Sequence, residues 1–73
     1  MNKPKGSITG TKGLYLSATQ TVVIPTDFNL YKKVNPLALD VYWVKGKGWR
    51  VLNKKDWSGS RSPYVPVQQF AEA

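Results

Sequence analysis

The stretch Leu39–Asn53, LDVYWVKGKGWRVLN, decides the fold. Two runs rich in β-formers, Val41–Lys45 and Trp49–Leu52, flank Gly46-Lys47-Gly48. Glycine adopts φ > 0 at little cost, which tight hairpin turns require, so this stretch reads as a β-hairpin. Its register matters, because a slip of one residue turns every side chain to the other face. A two-residue turn at Gly46-Lys47 sets Val44 opposite Trp49 and Tyr42 opposite Val51 on one face. Trp43 opposite Arg50 and Val41 opposite Leu52 then share the other. A turn at Lys47-Gly48 opposes Lys45 to Arg50, and like charges directly across a strand pair are unfavourable. The first register is therefore preferred, with a three-residue Gly-Lys-Gly loop as a further alternative. It predicts Arg50 lying over the Trp43 ring, a contact worth roughly 0.5–1 kcal/mol at an exposed site. The structural reading of the same pair is that Arg50 shields an exposed Trp43 from water.

Outward from the hairpin, Leu14–Ser17 and Gln20–Ile24 are short β-rich runs joined by a turn at Ala18-Thr19. Pro25 stops the second. Thr26 or Asp27 is placed to cap a short helix carrying Phe28, Tyr31 and Val34. Lys32 and Lys33 suit its C-terminal end, and Asn35-Pro36 closes it. Downstream, residues 54–63 form a polar loop around Trp57. Tyr64–Phe70 reads as a last strand, confined to an edge because Pro66 has no N–H to donate.

These elements predict a mostly β chain with one short helical turn near 27–34. It is expected to be a single-domain small barrel or a strongly curved antiparallel sheet, with SH3-like and OB-like barrels as templates of matching size. The expected organisation is a flexible basic arm over 1–13, one small β domain over 14–70 and a frayed tail over 71–73.

The chain has 73 residues and a net charge of +7, with Asp27, Asp40, Asp56 and Glu72 set against 11 Lys and Arg. Such an imbalance costs self-repulsion, which an anionic partner relieves; nucleic acid is the commonest such partner. No Cys and no His are present, which excludes disulfides and removes the ligands zinc prefers. The missing cysteines point to an intracellular, cytoplasmic protein. Apolar runs are only a few residues long, far short of the roughly 20 that span a bilayer. Without His or Cys no nucleophile–base pair is marked by spacing, so the chain is expected not to be an enzyme and to use no cofactor or metal. Gly6-Ser-Ile-Thr-Gly10-Thr-Lys12 departs from the phosphate-loop pattern, since a Thr separates Gly10 from Lys12. It reads as part of the basic arm.

The candidate binding segment runs from Lys45 to Arg61. It contains Lys45, Lys47, Arg50, Lys54, Lys55 and Arg61, with Trp49 and Trp57 among them and Trp43 just before. Cations neutralise phosphates and release counterions, while aromatic faces stack on bases. The binding residues read from this pattern are Trp43, Lys45, Lys47, Arg50, Lys54, Lys55, Trp57 and Arg61. The expected function is a non-enzymatic module that binds nucleic acid, single-stranded or through the backbone. The alternative is a small modulator or inhibitor of a larger protein, of the virus or mobile-element accessory type, acting on an acidic surface. Homo-oligomerisation through the C-terminal edge strand is a further expectation.

Overall fold

A computed structural model describes residues 3, 8–57 and 61–72. The chain is mostly strand, with one short helix: β1 Lys12–Leu16, β2 Thr21–Ile24, α1 Phe28–Val34, β3 Leu39–Val44, β4 Gly48–Val51 and β5 Gln69–Glu72. A 3₁₀ turn, Lys54–Asp56, follows β4. The five strands form one sheet in the order β4-β3-β1-β2-β5. All neighbours are antiparallel except β2 and β5, which are parallel. The sheet is thus mixed, where an antiparallel one was expected. Much of the predicted arm lies outside the described residues. β1, however, already begins at Lys12, and β5 takes up Ala71 and Glu72 from the predicted tail.

The predicted hairpin is β3–β4, but its register differs from the preferred one by a residue. Val41 faces Val51, Tyr42 faces Arg50, Trp43 faces Trp49 and Val44 faces Gly48. The loop is Lys45-Gly46-Lys47, closed by Lys47 N–H to the Val44 carbonyl at 3.0 Å, with Gly46 at φ +79°. The reason is energetic. Like-charge and cross-strand pair preferences decide between registers by roughly 0.2–1 kcal/mol. Turning Trp43 inward removes on the order of 150–250 Å² from water, about 4–6 kcal/mol by area. Burial of the indole outweighs the pair terms. Trp43 and Arg50 consequently sit on opposite faces, and the predicted stacking of Arg50 on Trp43 is not formed.

The core gathers Tyr15, Val22, Val41, Trp43, Trp49, Val51 and Val65 on one face of the sheet. Trp49 on β4 stacks on Phe70 of β5 with ring centroids 5.9 Å apart. These are the two outermost strands, four strand spacings or about 19 Å apart in a flat sheet. Strong curvature brings them together. Gly13 in the central strand makes room for it, since a Cβ there would meet Val22 Cγ1 at 3.0 Å and Trp49 Cζ3 at 3.2 Å.

The expected barrel does not close. The predicted last strand, Tyr64–Phe70, is split. Tyr64 forms an isolated antiparallel bridge with Arg50 at the free edge of β4, flanked by Val51 N–H to Pro63 O and Val65 N–H to Trp49 O at 2.9 Å each. The chain then crosses under the curved sheet to pair as β5 with β2. Pro66 breaks the ladder between them, having no N–H. The Tyr15 hydroxyl donates to the Pro66 carbonyl at 3.1 Å and pins the crossing to the centre of the sheet.

Helix α1 starts as the sequence predicts, with Asp27 Oδ1 accepting from Leu30 N–H at 3.1 Å. It ends at Asn35, whose backbone and side-chain N–H groups both donate to the Tyr31 carbonyl. Lys32 Nζ of α1 meets Asp40 Oδ2 of β3 at 2.8 Å. Leu14 lies on the outer face of the sheet, directly opposite Asp40, yet is fully buried.

Candidate nucleic-acid interface

Directly opposed residues project from the same side of a sheet, so register alone assembles the site. Lys12 of β1 faces Tyr42 of β3, Tyr42 faces Arg50 of β4, and Arg50 bridges to Tyr64. These four residues form one row across the outer face, cation and aromatic in alternation, away from the tryptophan core. Lys12 is exposed; Tyr42, Arg50 and Tyr64 are half-buried. The row passes through a shallow groove of about 540 Å³ lined by Gly10, Lys12, Tyr42, Arg50, Leu52 and Lys54. Gly10 is fixed there by its N–H to the Trp43 carbonyl at 2.8 Å. Lys54 enters from the 3₁₀ turn, which Asn53 caps by accepting from Lys55 N–H at 3.1 Å.

The groove is electropositive for a specific reason. Asp40 is the acid on this face of β3, and Lys32 already engages it in the one ion pair among the described residues. No hydrogen bond or ion pair among the described residues engages the side-chain nitrogens of Lys12, Arg50 or Lys54. Three cationic heads therefore converge on a groove with no carboxylate among its lining residues.

Of the residues predicted from sequence, the structure brings Arg50 and Lys54 into this groove. Lys45 and Lys47 are exposed at the tip of the β3–β4 hairpin, and Lys55 is exposed in the 3₁₀ turn. Arg61 is exposed beyond the groove lining, after the undescribed residues 58–60. Neither predicted tryptophan lies on this surface. Trp43 is 2% exposed, edge to face with Trp49. Trp57 is half-buried, packs edge-on against Tyr15 at 6.0 Å and donates from Nε1 to the Ser62 carbonyl at 2.9 Å. Trp57 is thereby packed against the core.

Sequence reasoning missed Lys12, Tyr42 and Tyr64. The correct hairpin register would have placed Tyr42 beside Arg50, and reading Lys12 as strand would have added it. Nothing local marks Tyr64, whose place depends on a contact between segments far apart in the chain. No group of acidic side chains suited to a metal occurs among the described residues. No helix among them is long and apolar enough to cross a membrane. No family model, curated protein or solved structure matches the chain.

Proposed function

We propose that this protein is a non-enzymatic, intracellular module that binds nucleic acid through the outer face of its sheet. The observation that carries the reading is the row Lys12–Tyr42–Arg50–Tyr64, with Lys54 beside it and no acid in the groove. Cationic heads that find no partner among the described residues attract phosphates, and counterion release supplies the free energy. Strand register sets Lys12 and Arg50 in one row, and that placement supports the reading.

The test is salt titration of binding to a labelled oligonucleotide, followed by anisotropy. Affinity is expected to fall as a power of salt concentration with a slope of about −0.7 to −0.9 per phosphate neutralised. Arg50→Gln and Lys12→Gln are each expected to flatten that slope by about one such unit. Absence of binding at low salt removes the reading.

A second reading, docking on a larger protein, is favoured by a separate surface. Leu30, Val34 and Leu37 are 60, 72 and 87% exposed, and no residue of α1 is buried. Together with Pro25 and Tyr31 the helix residues line an apolar groove. Clustered exposed apolar side chains of this kind mark interaction sites. Co-purification of one stoichiometric protein that survives nuclease treatment would favour it.

A further inference from the structure

The basic row contains two aromatic rings as well as cations, and their placement distinguishes one kind of nucleic acid from another. Tyr42 and Tyr64 lie on either side of Arg50 along a line perpendicular to the strands. They are two strand spacings apart, about 10 Å. No hydrogen bond among the described residues engages either phenol hydroxyl. Neither ring belongs to the core, which is built on the opposite face. Core packing therefore does not explain two tyrosines at alternate positions of a cationic row.

We infer that the outer face binds a single strand laid across β1, β3 and β4, with bases stacked on Tyr42 and Tyr64 and the intervening phosphates held by Arg50. This deepens the nucleic-acid reading above and rests on it. A stacked strand rises about 3.4 Å per nucleotide, so the rings address bases roughly three steps apart, or fewer in an extended strand. Lys12 and Lys54 then meet the flanking phosphates. In a duplex the base faces are covered by neighbouring pairs and only phosphates are offered to the row. The tyrosines thus make single strands the preferred ligand, while the cations bind either form. Stacking is tolerant of base identity because every base has a π-face.

The experiment uses the full chain and labelled probes of about 12 nucleotides, within the range of single-strand site sizes. The probes are oligo-dT, oligo-U, an abasic strand of the same length and a duplex, all at one low salt concentration. Oligo-dT and oligo-U are expected to bind more tightly than the abasic strand and the duplex. Tyr42→Ala and Tyr64→Ala are each expected to weaken single-strand binding roughly 5- to 150-fold, the equivalent of losing one stacked base. Duplex and abasic binding should stay within about twofold. Tyr42→Phe and Tyr64→Phe keep the ring and should bind like the parent, which separates stacking from loss of fold. The inference is overturned if the abasic strand or the duplex binds as tightly as oligo-dT. It is equally overturned if the alanine variants lose affinity for all probes alike or for none. In those cases the salt-dependent reading survives. If no probe binds, both are lost.

Discussion

Trp43 and Trp49, facing each other across the β3–β4 hairpin, pack edge to face with centroids 5.5 Å apart and an interplanar angle of 67°. Both are sealed from solvent. The pair settles two things at once. It turns Val41 and Val51 inward with the indoles, and it turns Tyr42 and Arg50 outward, creating the row that the functional proposal uses.

Burial of this pair is incomplete in one respect. Trp43 Nε1 is buried without a hydrogen-bond partner among the described residues, which costs about 1–3 kcal/mol. Trp43→Phe removes that unsatisfied donor while keeping a ring, so it is expected to lower stability by less than about 1.5 kcal/mol. Trp43→Ala should cost about 3–5 kcal/mol, a large part of the stability of a domain this size. Urea unfolding of the two variants measures the difference, and equal costs would argue against the orphaned N–H.

Two glycines are predicted to resist substitution for different reasons. Gly13→Ala puts a Cβ at 3.0 Å from Val22 Cγ1 and 3.2 Å from the Val23 carbonyl oxygen, and should cost about 1–3 kcal/mol by overpacking. Gly46→Ala meets nothing within 4 Å but must hold φ +79°, at about 1–2 kcal/mol. Gly46→Asn should recover part of that loss, since Asn tolerates the left-handed region. Thermal denaturation of Gly13→Ala, Gly46→Ala and Gly46→Asn tests both mechanisms.

Burial raises the Tyr15 hydroxyl pKa above its ordinary value of 10.0. A group whose folded pKa is raised contributes stability in its protonated form. That contribution is complete below the unfolded pKa of about 10 and is lost as pH rises through the folded value. Stability should therefore decline above pH 10, and Tyr15→Phe should shrink the decline. At neutral pH the same variant should lose about 1 kcal/mol, because the Pro66 carbonyl loses its donor. Urea midpoints measured from pH 8 to about 11 read both effects.

The Lys32–Asp40 ion pair is predicted to matter more for binding than for folding. Both partners are nearly half exposed, so the pair is worth at most about 1 kcal/mol. Lys32→Gln releases the Asp40 carboxylate two residues from Tyr42 on the outer face. It should weaken oligonucleotide binding more than Lys33→Gln, which removes the same charge without exposing an acid. Anisotropy at one salt concentration compares them, and equal losses would mean that only net charge matters.

Much of the local structure was legible in the chain. β-branched runs, Pro25, the Asp27 cap and Gly46 each act within a few residues, and strands β1 to β4 and helix α1 appear close to where these signals put them. Closure was read less well. The templates were barrels, but Pro66 divides the last segment into a bridge at one edge and a strand at the other. The candidate site was legible only through its cations. Arg50 and Lys54, read from the sequence, line the groove, whereas Trp43 is buried in the core and Trp57 packs against it.

Composition and nearest-neighbour chemistry alone determined a small β-rich chain, strongly cationic, with turns at its glycines and a capped single helix. The tertiary structure decided which rings go inside. Two hairpin registers differ by one residue, and local pair preferences separate them by less than about 1 kcal/mol. Burying Trp43 against Trp49 and, through curvature, setting Trp49 on Phe70 gains several times that. The Trp49–Phe70 contact joins strands distant in the sequence, and no short stretch records it. The faces of Tyr42, Arg50 and Tyr64 were therefore settled by what the core required on the other side of the sheet.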